Sequence, residues 1–253
     1  MKLRYLILAA MAAVAVEASA WTTEVNKAIL MLAEENLSRK AQKEVEAVLG
    51  APLSSIEFAQ EGKSKTRLNE SGKSVTTDAK DGVVVLEKAL ATLRTKGASI
   101  EERKAALLAV AEHTVDIHCP ANILIDKHLE GDFKFGRENG RPRTSRWFKV
   151  DKREWQSMWH KLFHTQLGAW SADMYIYDWH IATKGMAKQF KKQEVAPRLW
   201  AEQTGGVVLE ALKVFKPNAE VGRMQITNLE EVNNNLMYKA AFRLADVLNQ
   251  TLK

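Results

Sequence analysis

The strongest constraint this sequence places on its own fold is its punctuation for helices. Ser38 stands where an N-cap would, before a run to Leu49 that Gly50 closes. Ser99-x-x-Glu102 spells a capping box, in which each residue serves the other's backbone N–H, and it opens a run that Pro120 limits. Asp151-x-x-Glu154 predicts a further helix ending near Gly168. Asn228-x-x-Glu231 predicts a last one over residues 229–252, with Leu236, Ala240, Leu244 and Leu248 at every fourth position. Recurrent caps at this spacing point to an all-α helical bundle. Two stretches break the pattern. Residues 61–80 are rich in Ser, Thr, Lys and Gly and read as a loop. Residues 133–150 contain Asn139-Gly140, a turn pair that predicts a short β-hairpin projecting from the bundle.

Residues 1–20 read as a secretory signal, with Lys2 and Arg4 at the start, an apolar run from Leu6 to Val16, and Ala18-Ser19-Ala20 as a small-x-small cleavage site. A mature chain would begin at Trp21 and be periplasmic or secreted. The apolar run is shorter than the ~20 residues a membrane-spanning helix needs, and no later stretch approaches that length. Cleavage would remove Lys2, Arg4 and Glu17, so the formal net charge of +6 falls to +5. That favours polyanions only mildly. The remaining 21–253 suit one domain with a substantial core. Cys119 is the single cysteine, so no intrachain disulfide can form and stability must come from packing.

Several segments resemble the zinc-dependent nucleases of the S1/P1 type, a helical family that shares its fold with bacterial zinc-dependent phospholipase C. The C-terminal half carries the most specific pieces: Pro197-Arg198-Leu199-Trp200-Ala201-Glu202, and then Ala240-Ala241-Phe242-Arg243-Leu244-Ala245-Asp246-Val247-Leu248-Asn249, where the family writes Ala-Gly-x-Arg-Leu-Ala-x-x-Leu-Asn. A Trp directly after the cleavage site belongs to the same pattern. The resemblance implies a bundle of the phospholipase C/P1 nuclease type. It also implies metal-dependent hydrolysis of phosphodiester bonds in nucleic acids, preferring single strands, at a three-zinc centre whose ligands include the freed amine and carbonyl of that Trp.

Residue by residue, the implied metal site is largely substituted. Trp21, Asp116 and His160 stand at ligand positions and match. Glu112 replaces a His, and His164 replaces an Asp, both still able to bind metal. Asn26 and Asn122 replace histidines, and Gln60 replaces an aspartate within Phe58-Ala59-Gln60. No histidine occurs before His113, so a further His ligand is missing under any alignment. The central motif reads Glu112-His113-Thr114-Val115-Asp116-Ile117-His118-Cys119-Pro120-Ala121-Asn122. In it His113 lies one step off the ligand face, and His118 matches a position that is not a ligand, so both are expected to be structural. Cys119 is expected to pack as a small buried apolar residue.

Each zinc needs about three good protein donors, and a neutral amide is a poor one. The expected outcome is at most one zinc ion, gripped by His160 and His164, which four-residue spacing sets on one helix face, with Glu112 or Asp116 beside them. Hydrolysis is then weak or lost, and a binding role follows. The alternative is an active metal-dependent endonuclease or phosphodiesterase using a rearranged site around His160 and His164. Single-stranded nucleic acid or nucleotides are the expected partners. Arg137, Arg141, Arg143 and Arg146, interleaved with Phe135, Trp147 and Phe148, suit a strand whose phosphates pair with cations and whose bases stack. The other reading of that stretch is a solvated arm diluted by Asp132, Glu138, Asp151 and Glu154.

Overall fold

A computed structural model describes residues 21–252 apart from 59–64, 126–132, 135–146, 149–151, 154–158, 160–169, 191–192 and 215–220. Helices dominate. In chain order they are α1 (Thr23–Glu35), α2 (Arg39–Leu49), α3 (Gly82–Arg94), α4 (Ile100–Asp116), α5 (Ala172–Ala182), the short α6 (Ala187–Phe190), α7 (Pro197–Val214) and α8 (Arg223–Thr251). The strands are two or three residues long: β1 (Thr66–Leu68), β2 (Ile123–Ile125), β3 (Phe133–Lys134), β4 (Trp147–Phe148), β5 (Lys152–Arg153) and β6 (Val221–Gly222). The fold is all-α, with small ribbons attached.

The caps explain where the helices begin. Ser38 Oγ accepts the Ala41 N–H at 3.2 Å, and α2 ends on Gly50 in the left-handed region at φ +75°, a conformation that costs glycine nothing. Both halves of the box at α4 are present: Ser99 Oγ accepts the Glu102 N–H at 3.1 Å, and Glu102 Oε2 accepts the Ser99 N–H at 2.8 Å. Thr22 caps α1 and Ser171 caps α5 in the same way. Asp81 does two jobs, since one carboxylate oxygen caps α3 through the Val83 N–H and the other accepts the Arg67 N–H of β1.

Helix α8, 29 residues long and so about 44 Å from end to end, is the element around which the rest assembles. Its Leu236, Met237, Ala240, Ala241, Leu244, Ala245, Val247 and Leu248 are buried, and α1, α2, α3, α4, α6 and α7 all pack on it. At its C-terminal end Asn249 clasps the α1–α2 turn, accepting the Ser38 N–H at 2.6 Å and donating to the Asn36 carbonyl at 3.0 Å.

Three expectations from the sequence need correction. The last helix opens at Arg223, not after Asn228, because the chain turns into it directly from β6 and Ile226 is buried in the first turns. Asn228 is therefore inside the helix. The segment 61–80 is not wholly loop, since Thr66–Leu68 pairs in parallel with Ile123–Ile125, Thr66 opposite Ile123 and Leu68 opposite Ile125. Alternation drives this, as Thr66 and Leu68 face inward while Arg67 faces out. Lys152 and Arg153, placed by the sequence in the first turn of a helix, are instead strand, with Arg153 opposite Phe133 and Lys152 opposite Lys134. The β3–β5 ribbon is antiparallel, as a hairpin requires, whereas β4 pairs with β6. The predicted turn at Asn139-Gly140 and the helix end near Gly168 lie outside the described residues.

Beyond β1 the chain is pinned to α7. Asn69 Oδ1 accepts the N–H groups of Ser71 and Lys73, and Lys73 reaches Glu202 at 2.8 Å. Arg198 grips Glu87 of α3 with two bonds of 2.9 Å. The approach is closest at Gly205, where a Cβ would stand 2.3 Å from Leu68 Cδ1. Leu68 is fully buried, so its side chain can make way only by disturbing the residues packed around it. Gly205→Ala should therefore cost about 1–3 kcal/mol of stability. The neighbouring Gly206, exposed and with open space around it, should gain about 0.5–1 kcal/mol on replacement by Ala, through helix propensity. Urea unfolding of the two variants checks both signs.

Candidate functional site

Trp21, Asn26, Glu112, Asp116 and Asn122, singled out by the resemblance, sit where α1 meets the C-terminal end of α4. Trp21 precedes α1 and is 1% exposed, held because its indole Nε1–H donates to Asn233 Oδ1 of α8 at 3.0 Å. Asn26, one turn into α1 and also buried, faces the Trp21 backbone. Its Oδ1 accepts the Trp21 N–H at 3.3 Å, and its Nδ2 donates to the Trp21 carbonyl at 3.5 Å. The two backbone atoms that the resemblance would give to a zinc ion are thus spanned by one amide. A carboxamide can do this because its acceptor oxygen and donor nitrogen lie side by side on one planar group, whereas the two nitrogens of an imidazole point away from each other.

The same replacement recurs at the end of α4. Asp116, 1% exposed, accepts a bond from Asn122 Nδ2 at 3.0 Å. Asn122 reaches it because Asp116 ends the helix and the chain turns through a 3-10 segment at Pro120–Asn122. The second carboxylate oxygen of Asp116 lies 3.8 Å from His113 Nδ1. Glu112 is half-buried on the last turns of α4.

The donor set decides what this region can hold. Asn26 and Asn122 offer neutral amide groups already engaged with Trp21 and Asp116, where a zinc site needs imidazole, carboxylate or thiolate donors. Among the described residues, no group of three or more His, Cys, Asp and Glu side chains is placed to hold a metal ion. These residues do not fit a three-zinc centre. Gln60, His160 and His164, and the cationic Arg137, Arg141, Arg143 and Arg146, lie outside the described residues.

Beside this region His118 is completely buried, and its geometry fixes its charge. Nδ1 lies 2.6 Å from the Thr114 carbonyl, which can only accept, so Nδ1 carries the proton. Nε2 then presents a lone pair to the Arg243 guanidinium at 2.8 Å. Burial, reinforced by the Arg243 charge, holds the imidazole pKa well below its ordinary 6.5. Arg243 in turn lies over the Trp200 ring, 5.2 Å from its centroid, and donates to Gln203. Burial lowers it to about 10, so it stays cationic at neutral pH. His118 therefore serves as a buried acceptor. Cys119, next in the chain, is buried as well.

Two residues in this network carry no signal in the motifs. Asn233 joins the Trp21 indole to the Trp159 carbonyl, the latter at 3.4 Å. It lies on the helical face of Leu236, Ala240 and Leu244, so a polar residue interrupting an apolar stripe was the available sign. Gln203 belongs to no motif at all. Its role follows only from its position two residues before the close contact at Gly205.

Protonating His118 would set a second cation against Arg243. An unfolded chain takes up that proton near pH 6.5 and the folded one does not, so the contribution to stability is present above pH 6.5 and is lost as pH falls. The expected slope is about 1.4 kcal/mol per pH unit for one proton. It should appear in urea unfolding below pH 6.5 and flatten by that amount in His118→Gln.

No protein-family model matches this chain, and no curated protein matches it.

Proposed function

We propose that this chain is an exported binding protein on an S1/P1-nuclease-like scaffold, one that has given up efficient hydrolysis. The observation that carries this reading is the pair of amide closures. Asn26 spans the Trp21 N–H and carbonyl, and Asn122 occupies Asp116. In each, a side-chain hydrogen bond takes the place of a bond to metal, so the Trp21 N–H, the Trp21 carbonyl and Asp116 Oδ1 each have a partner without an ion.

Loss of the metals removes the activated water and the clamp on the phosphate oxygens that such a reaction requires. What remains for function is recognition. The chain 133–153 concentrates cations and aromatics, and the β3–β5 ribbon sets Phe133 opposite Arg153 and Lys134 opposite Lys152. Backbone phosphates and unstacked bases are the chemistry such a segment suits, and a single-stranded nucleic acid is the ligand class proposed.

The test uses the chain beginning at Trp21. Metal content by mass spectrometry should be at most one zinc ion per chain, and single-stranded DNA and RNA should stay intact with added zinc or manganese. Three zinc ions with robust cleavage would overturn the reading. One ion with cleavage that disappears in His160→Ala/His164→Ala would establish a working rearranged site. Fluorescence anisotropy with a labelled single-stranded oligonucleotide should show binding that weakens steeply with salt and falls about tenfold when Arg141 and Arg143 are both replaced by Ala.

A further inference from the structure

A second cation lies one turn back from Arg243 on α8. Lys239 precedes it by four residues, the spacing that sets two side chains on one face of a helix. Arg243 is 7% exposed and Lys239 is half-buried. Like charges so placed repel each other, and withdrawal from water strengthens the repulsion. The Lys239 ammonium shows both effects: burial pushes it below its ordinary 10.5, and the Arg243 charge adds to the push. Both charges also bear on His118, so the three groups lie within electrostatic reach of one another.

No negative charge of the chain answers them. Arg243 donates to His118 Nε2 and Gln203 Oε1, a neutral imidazole and a neutral amide, and its buried Nε has no acceptor. Among the described residues, neither Lys239 nor Arg243 forms an ion pair with a carboxylate. Asp246, one turn beyond Arg243, has Oδ2 taken by the Gln193 N–H at 3.1 Å and by Gln250 Nε2 at 2.7 Å. The Trp200 ring supports the guanidinium without neutralising it. Buried charges in folded proteins are ordinarily paired, and this pair of cations has no counter-charge of its own.

We infer that Lys239 and Arg243 form a binding site for a small oxyanion of the inorganic phosphate class, which supplies the negative charge the chain lacks there. A guanidinium offers directional N–H donors that suit a tetrahedral oxyanion, and an ammonium adds a compact point charge. Arg243 is too deeply buried for a nucleic-acid backbone to run across it, so the ligand is a free anion, reached from the side of the more exposed Lys239. The site rests on nothing in the proposed function.

Urea unfolding at neutral pH, with and without inorganic phosphate, tests it. For a dissociation constant of about 1 mM, about 10 mM phosphate should raise the folding equilibrium constant roughly tenfold. Lys239→Gln should reduce that gain to less than about twofold. General effects of salt act on both chains alike, so the difference between them reads the site. Lys239→Glu places a carboxylate one turn from Arg243. Without phosphate it should be more stable than the parent, by about three- to tenfold in the same constant, and it should not respond to phosphate. That gain distinguishes a missing counter-charge from a lysine needed only for packing. A parent indifferent to phosphate would overturn the inference, as would an equal response in Lys239→Gln or a Lys239→Glu chain that responds like the parent. Any binding of single-stranded DNA should be equally strong in the parent and in Lys239→Gln, and a weakening would assign the site to a strand's phosphates and overturn the free anion.

Discussion

A neutral imidazole accepting a hydrogen bond from a buried guanidinium joins three parts of this chain. His118 follows the end of α4, Arg243 lies in the second half of α8, and Trp200, whose ring the guanidinium covers, opens α7. A charge taken out of water is costly unless its donors find partners. Here Nη1 and Nη2 find acceptors and the indole face receives the cation, while the buried Nε has no hydrogen-bond acceptor. The helices cannot shift relative to one another without leaving that charge unsatisfied. The Thr114 carbonyl completes the arrangement by fixing the tautomer of His118, so a backbone group near the end of α4 determines which nitrogen Arg243 meets.

The polar residues at the α1–α4 junction obey the same accounting. Buried backbone and carboxylate groups at the α1–α4 junction need partners whatever else happens there. An ion supplies several at once, at the cost of demanding anionic or imidazole ligands. A carboxamide supplies one donor and one acceptor with no charge to desolvate. Asn26 and Asn122 are that solution applied twice, and Asn233, between the Trp21 indole and the Trp159 carbonyl, is a third amide in the same service. The result is a polar region inside an apolar bundle that is held together by geometry where a metal site would be held by coordination.

Much of this architecture was legible in the sequence because caps are local. Ser38 with Gly50 and Ser99 with Glu102 act within one turn of chain, so the residues that define each end also report it. The start of α8 was not legible, since the capping pattern at Asn228 is overridden by burial of Ile226 and by the strand that delivers the chain at Gly222. The parallel pairing of β1 with β2 joins segments more than fifty residues apart, and three-residue strands leave almost no periodicity to read. At the candidate site the order was similar. That Asn26 and Asn122 were poor metal ligands followed from residue type alone. That each would close on a particular neighbour, and that Gln203 would serve Arg243, depended on distances that exist only after the helices have packed.

The position of α8 in the chain carries a consequence for how the molecule comes into being. Every helix it packs against precedes it in sequence, and the guanidinium that completes the buried His118 site is on it. An emerging chain can form α1 to α7 as isolated or paired helices, but it has no closed interior until the residues beyond 223 arrive. Acquisition of the native state is therefore a late and concerted event, weighted toward contacts distant along the chain. Until then the apolar faces of the earlier helices stay open to water and to one another.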